Sequence, residues 1–190
     1  MTILRVLVLS MLALAGAAAA QHAVAPAPPL PMSGTVQVAF TPWEDAEGLV
    51  VTAIGEAQRQ ILVQAFSFTS KRIAGALIAA KRRGVEVLVM ADHEQARLAE
   101  GSRIRDLAAA GIPVWLETRY AAAHSKVMII DASTRDAIIV TGSFNWTVAA
   151  QRKNAENLLV LRHQRDLAQA YAANWQRQRD EATRYAPGKR

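Results

Sequence analysis

Apolar positions in the first two thirds of the chain form short runs that alternate with stripes of helical spacing. Runs rich in β-branched and aromatic residues predict four strands, at 35–40, 61–68, 85–91 and 112–116. Stripes with spacings of three and four predict helices between them, at 41–59, 71–83 and 94–110. Thr41 and Glu44 would cap the first helix around Pro42, and Gly84 would end the second.

The pattern changes after residue 120. Two strands, 124–130 and 137–141, are predicted to form a hairpin through the polar turn Asp131–Asp136, which is long enough to extend above a cleft. A short helix (146–153), a strand (157–162) and an amphipathic helix (164–183) complete the pattern. Together the elements predict an α/β fold: a mixed, largely central β-sheet flanked by helices on both faces.

The N-terminus has the pattern of a targeting segment. Arg5, an apolar stretch and three small residues before Gln21 predict a Sec-type signal peptide over 1–20, although an uncleaved membrane anchor is the alternative. A Pro/Ala-rich linker (21–34), one domain (35–185) and a short tail (186–190) would follow. We therefore expect a periplasmic or secreted bacterial protein with no stable membrane association after cleavage.

The composition excludes several kinds of site and indicates the charge of a partner. The chain has no cysteine, which excludes disulfides, thiolate metal sites and a cysteine nucleophile. The formal net charge is +6, and the last 41 residues hold nine basic but only four acidic residues. This asymmetry indicates an anionic partner such as nucleic acid, or else a solvated helix face.

The polar residues that suggest catalysis lie in the second half. His124 and Lys126 would share one strand face about 7 Å apart, which suits attack on a phosphate whose charge the lysine neutralises. Gly142 would allow a close turn, after which Ser143 and Asn145 could donate hydrogen bonds to the same anion.

Two carboxylates accompany these residues. Glu156 could accept a hydrogen bond from the second ring nitrogen of His124 and fix its tautomer. Asp131 has the opposite strand parity from His124 and Lys126, so a structural role is expected for it.

The arrangement His-x-Lys-x4-Asp followed by Gly-Ser-x-Asn resembles the signature of the phospholipase D superfamily. The matching residues are His124, Lys126, Asp131, Gly142, Ser143 and Asn145. With its single motif and short length, the chain is similar to the small bacterial EDTA-resistant endonucleases of that superfamily.

The resemblance implies a phosphodiesterase that needs neither metal nor cofactor and forms a phosphohistidine. His124 would be the nucleophile or the acid, Lys126 and Asn145 would bind phosphate oxygens with help from Ser143, and Glu156 would orient the histidine. This chemistry uses two histidines, whereas the chain has one motif. It therefore requires a homodimer with the site across its axis.

Several other residues have two interpretations each. Trp146 could stack on substrate or pack in the core, and Arg152 and Lys153 could meet flanking phosphates or form a solvated helix end. Phe66 and Phe68 are expected in the core or at a dimer contact.

The sequence predicts a DNA or RNA substrate. A phospholipase D-type enzyme acting on phospholipid headgroups and a catalytically silent nucleic-acid-binding protein are the alternatives. Asp92 to Glu94 is expected to be a polar strand end rather than a metal site.

Overall fold

A computed structural model describes residues 28–186, so the predicted signal peptide, the first part of the predicted linker and residues 187–190 lie outside it. The strands are β1 (Thr35–Thr41), β2 (Gln60–Ala65), β3 (Glu86–Asp92), β4 (Val114–Glu117), β5 (Val127–Ile130), β6 (Ile138–Gly142), β7 (Glu156–Arg162) and β8 (Thr183–Arg184). The helices are α1 (Ala46–Glu56), α2 (Lys71–Arg82), α3 (His93–Leu98), α4 (Ile104–Ala109), α5 (Val148–Arg152) and α6 (Arg165–Glu181). Of these helices, none is long and apolar enough to cross a membrane.

All eight strands belong to one sheet, in the order β1-β7-β6-β5-β2-β3-β4-β8. The central strands β2, β3 and β4 pair in parallel, and every other pairing is antiparallel. The predicted mixed α/β sheet is therefore confirmed.

Each face of the sheet has its own apolar core. The larger core packs α1, α2, α4 and α5 against one face, and the smaller core packs α6 against the other. Two fully buried tryptophans join these layers to β2: the Trp146 indole donates to the Gln64 carbonyl (2.9 Å), and the Trp175 indole donates to the Val63 carbonyl (3.0 Å). The central strand is thus fixed from both sides, which stabilises the edge where it ends.

The first helix begins later than predicted. Thr41 is the last residue of β1, and its hydroxyl donates to the Ala150 carbonyl (2.7 Å) instead of capping a helix. Asp45 caps α1 by accepting from the Gly48 amide, whereas the Glu44 carboxylate accepts from the Phe40 amide. The predicted capping box is wrong because tertiary contacts use the threonine hydroxyl and because an aspartate follows at a suitable position.

The hairpin also differs from its prediction. β5 begins at Val127, so His124 and Lys126 lie in an irregular loop before the strand. The Asp131–Asp136 turn joins β5 to β6 at the opposite end of the sheet from this loop. The expectation that the turn extends above the cleft is therefore wrong, because the two ends of an antiparallel hairpin lie a strand length apart.

The edge strand β1 leaves apolar side chains in solvent. Ala39 and Thr41 are buried against the α1 layer, but Val36, Val38 and Phe40 are about half exposed on the α6 side, where that helix does not reach. These three residues, here called the β1 strip, pair with Leu161, Leu159 and Asn157 of β7. The strip is an uncovered part of the same sheet face that supports the site described next.

Candidate active site

Four chain segments bring the predicted site residues to one edge of the sheet. β5 and β7 begin at this edge, while β2 and β6 end there, because the antiparallel pairings place those ends side by side. One open cleft at this edge is lined by the loop before β5, the end of β6 and the start of β7, and it includes His124, Lys126, Ser143, Asn145 and Glu156. The structure thus brings together the five residues predicted to act on a phosphate.

His124 and Lys126 are in direct contact. The Lys126 Nζ lies 2.8 Å from His124 Nδ1 and donates to the His124 carbonyl at 2.6 Å. The imidazole is exposed, whereas Lys126 is only 6% exposed. The predicted separation along a strand face is wrong, because these residues precede β5 and the loop folds the ammonium back onto the ring.

Phe66 belongs to this site, which the sequence did not predict. Its ring centroid lies 4.4 Å from that of His124, and Lys126 Nζ lies 4.8 Å from the Phe66 centroid. Phe68, by contrast, is buried in the core, so the two phenylalanines do not share one environment. The sequence feature that could have identified Phe66 is the alternation of side chains along β2. It places Phe66, the residue directly after the strand, on the α6 side together with Leu62 and Gln64.

Asp92 ties the histidine loop to the sheet. This buried carboxylate ends β3, accepts from the Gln95 amide at the start of α3, and accepts from the Ala123 amide at 2.9 Å. Within residues 28–186, and apart from the two contacts of the Lys126 ammonium with His124, the Ala123 bond is the only hydrogen bond that joins 120–125 to another part of the chain. Asp92 therefore positions the residue directly before His124.

The strand end predicted at Asp92 is confirmed, since β3 ends there and α3 follows. No group of three His, Asp or Glu residues that could hold a metal ion occurs in the described part of the chain.

Burial lowers the pKa of Lys126 below its ordinary value of 10.5, and the nearby Glu156 carboxylate acts in the opposite direction. The Phe66 ring and the backbone around Lys126 replace the water that would otherwise solvate the ammonium. A phosphate oxygen in the cleft would restore a negative partner to this charge, so the site favours anions.

A glycine allows the close contact between β6 and β7. Gly142 has φ 145°, and a Cβ at this position would lie 2.3 Å from the Asn157 carbonyl oxygen. That oxygen accepts from the amides of Ser143 and Phe144, while the Ser143 Oγ accepts from the Asn157 amide. The exchange fixes the turn that carries Ser143 into the cleft.

Asn145 and Glu156 complete the lining. The Asn145 Oδ1 is buried and has no hydrogen-bond partner within residues 28–186. The Glu156 carboxylate accepts from the side-chain Nδ2 of Asn154 at 2.9 Å and makes no hydrogen bond to His124 in the described chain. The predicted Glu156–His124 contact is therefore absent from the single chain, where Lys126 occupies Nδ1.

Asp131 lies at the far end of β5, away from the cleft. It is 6% exposed, has φ 51°, and accepts from the amides of Gln58, Arg59 and Gln60, each at 2.8 Å. The carboxylate joins the α1–β2 connection to the hairpin turn, as a structural role requires.

Three other residues with possible substrate contacts do not line the cleft. Trp146 is fully buried, so the suggestion that it stacks on substrate is wrong. Arg152 lines a separate groove with Lys71 and Arg103 on the α1–α2 side, and Lys153 is an exposed residue at the end of α5. The two basic residues are thus placed for contacts beyond the cleft rather than within it.

Known proteins are similar to this chain in sequence and in fold. The sequence model of the family described as "Cardiolipin synthase, PLD-like domain" matches residues 50–179. A phospholipase D of Rickettsia typhi is 36% identical over 140 residues, which is 74% of this chain and 66% of that protein. The mitochondrial cardiolipin hydrolase of Xenopus laevis is 37% identical over 112 residues, 59% of this chain and 50% of that protein. The chain thus spans at most about two thirds of the length of these relatives.

A solved structure matches the fold. Nuc of Salmonella typhimurium, described as a phospholipase D family member, superimposes with a TM-score of 0.74 at 35% identity, covering 80% of this chain and 99% of that one. The fold, the cleft residues and these matches agree with the enzyme class expected from the motif. The chain belongs to the phospholipase D superfamily.

Proposed function

We propose that this protein is an exported, metal-independent endonuclease that cleaves DNA or RNA through a phosphohistidine at a site shared by two chains. The observation that carries the proposal is the cleft, where an exposed imidazole, a buried ammonium and the side-chain amide of Asn145, whose NH2 group can donate to a phosphate oxygen, lie together. An imidazole in direct contact with a desolvated ammonium suits nucleophilic attack on a phosphodiester, and simple binding would need only the cations.

In the proposed reaction, the His124 Nε2 of one chain attacks phosphorus while the phosphate oxygens lie on Lys126 and Asn145. The P–O bond to the leaving group breaks, and the protonated His124 of the second chain gives its proton to the leaving oxygen. That second imidazole then takes a proton from water, which attacks phosphorus and breaks the P–N bond. Each step needs one proton donor or acceptor besides the nucleophile, so two histidines suffice.

The contact at Nδ1 adds a condition to this reaction. While the Lys126 ammonium donates to Nδ1, a neutral His124 carries its proton on Nε2, so the atom that would attack phosphorus has no free lone pair. A substrate phosphate offers Lys126 a charged acceptor, and the ammonium then leaves Nδ1 free to hold the proton. Glu156 lines the same cleft and could accept a hydrogen bond from that Nδ1–H.

The shared site requires a surface on which two chains meet. The β1 strip lies on the sheet face that bears the cleft, and its Phe40 pairs with Asn157, the residue bonded to Ser143. Exposed, contiguous apolar side chains next to an incomplete site support a symmetric homodimer.

A phospholipid substrate is the second candidate. Relatives of this chain are named phospholipase D and cardiolipin hydrolase, and the β1 strip could alternatively face lipid. The excess of basic residues near the C-terminus favours nucleic acid, whose phosphates attract such a surface.

The decisive experiment compares substrates in excess EDTA. The purified protein is incubated with single-stranded DNA, RNA and phosphatidylcholine or cardiolipin vesicles, with His124→Ala as the matched control. We expect cleavage of nucleic acid that the variant lacks. Release of headgroups without nucleic-acid cleavage would favour the phospholipase, and binding without any turnover would favour the silent protein.

A mixed dimer tests the shared site. Differently tagged wild-type and His124→Ala chains are co-purified, and single-turnover cleavage is measured. One imidazole cannot serve as both nucleophile and acid, so activity should be far below half of wild type. Half activity per dimer, or full activity from a monomer in sedimentation, would exclude a site shared by two chains.

Export is tested separately, because it concerns residues outside the described range. Mass spectrometry of the protein recovered from a periplasmic fraction should show an N-terminus near Gln21. An intact N-terminus in the membrane fraction would instead support the uncleaved anchor.

A further inference from the structure

We propose that a second cavity, on the other side of His124 from Lys126 and Asn145, is a binding site for one nucleobase next to the scissile phosphate. This inference rests on the proposed nuclease function and assigns substrate specificity to residues that the motif does not include. The cavity lies between the histidine loop, the ends of β2 and β3, and the last turns of α6; its side chains include Gln64, Met90, Tyr120 and Gln178.

The position of the cavity follows from the wall that it shares with the cleft. His124 and Ser125 line both spaces, so the imidazole separates a phosphate-binding side from the second cavity. A phosphate held by Lys126 within reach of His124 therefore has one of its two ester groups directed toward this cavity. In a nucleic acid, that group is a nucleoside.

The polar groups in the cavity are uncharged amides. Gln64 is only 4% exposed, and its Nε2 donates to Gln178 Oε1 at 2.5 Å. Within residues 28–186, the other amide atoms of this pair, Gln64 Oε1 and Gln178 Nε2, make no hydrogen bonds. The pair thus presents one acceptor beside one donor, which matches the adjacent donor and acceptor groups on a base edge.

The remaining surfaces suit a flat aromatic group. Met90 supplies an apolar, polarisable surface, and Tyr120 is 53% exposed, so its ring is available for stacking. Among the described residues, no Asp, Glu, Lys or Arg lines the cavity. A cationic lipid headgroup would need a carboxylate or several aromatic faces, so this lining favours a base over an amine headgroup.

The test uses two chromogenic phosphodiesters with the same p-nitrophenol leaving group. One is the p-nitrophenyl ester of thymidine phosphate, as its 5′ and 3′ isomers, and the other carries an abasic deoxyribose in place of thymidine. We expect kcat/KM to be about tenfold higher with the base, as is typical of a single stacked and hydrogen-bonded base. Tyr120→Ala and Gln178→Ala should remove most of that difference and leave the abasic rate unchanged.

Two variants serve as controls. Tyr120→Phe keeps the aromatic face and should retain the base preference, and Gln169→Ala changes an exposed glutamine on the same helix outside the cavity. Equal rates of the wild-type protein with both esters, or equal slowing of both by Tyr120→Ala, would overturn the nucleobase site while leaving the nuclease intact.

Failure of the nuclease proposal gives different results. If the wild-type protein hydrolyses neither ester, the proposed function and the base site fall together. If it hydrolyses both at equal rates, and Gln178→Ala instead slows headgroup release from phosphatidylethanolamine vesicles, the cavity is a headgroup site and the nucleobase assignment is wrong.

Discussion

Removing the carboxylate of Asp131 should destabilise the protein without harming its chemistry. In Asp131→Ala, the amides of Gln58, Arg59 and Gln60 lose the oxygens that now accept from them at 2.8 Å. A hydrogen bond to a charged group contributes about 1.5–3 kcal/mol. Because the three bonds share one carboxylate and are partly buried, we expect a loss of about 3–4 kcal/mol in the free energy of unfolding.

The amide variant separates the hydrogen bonds from the backbone conformation. Asp131→Asn tolerates φ 51° equally well and keeps one oxygen for Arg59 and Gln60, but its NH2 group would face the Gln58 amide. The expected loss is about 1–2 kcal/mol. Asp136→Ala, in the same turn with an exposed carboxylate, should change stability by less than about 0.5 kcal/mol.

Urea unfolding followed by tryptophan fluorescence measures these losses, provided that the m-value is unchanged. The rate per folded molecule should stay near wild type at a temperature where each variant is folded, because Asp131 lies at the opposite end of β5 from the cleft. An Asp131→Asn protein with wild-type stability and no activity would refute this reasoning, since the carboxylate would then act in catalysis.

Four further outcomes follow from the site. Gly142→Ala should lower the free energy of unfolding by about 2 kcal/mol or more and reduce activity, because its Cβ would lie 2.3 Å from the Asn157 carbonyl oxygen. Urea unfolding and turnover measurements check this. Asp92→Asn should lower kcat about tenfold or more with little change in KM, because it loosens the histidine loop without touching substrate; unchanged kcat would contradict its positioning role. Burial lowers the pKa of Lys126, so the unfolded chain keeps the Lys126 proton to a higher pH than the folded chain does. Between the pKa of Lys126 in the folded protein and 10.5, the free energy of unfolding should therefore rise with pH while activity falls. Lys126→Met should lack this rise in the free energy of unfolding. If the proposed dimer forms through the β1 strip, Val38→Glu should abolish it in sedimentation and with it most activity, whereas Val148→Glu, at a similarly exposed valine on α5, should not.

Local signals in the sequence predicted most of the sheet and the residues that line the candidate cleft. Alternating runs and stripes mark elements whose burial is set by neighbours along the chain, and the motif residues cluster within 33 positions from His124 to Glu156. The predicted helix boundary was wrong where a distant group bonds to the side chain that was expected to cap the helix. The Thr41 hydroxyl donates to the Ala150 carbonyl and therefore does not cap a helix.

The parts of the site that were missed come from distant segments. Phe66 follows β2 and Asp92 ends β3, yet both support a loop more than 30 residues later, which no local pattern encodes. Trp146 shows the converse error: proximity to Asn145 in sequence suggested the cleft, but the next side chain along the chain turns into the core.

In the single chain, most of the candidate catalytic side chains in the cleft already make hydrogen bonds within the protein. Lys126 is bonded to His124, Ser143 to Asn157, and Glu156 to Asn154, which leaves the buried Asn145 Oδ1 as the exception. In the proposed reaction, a phosphate that draws the Lys126 ammonium away from Nδ1 lets that nitrogen hold the proton, and Nε2 then has a free lone pair. Substrate binding and activation of the proposed nucleophile would therefore be coupled at Lys126. Until a phosphate arrives, the contact would keep a neutral imidazole protonated on Nε2, and an imidazole in that form cannot attack phosphorus through this atom.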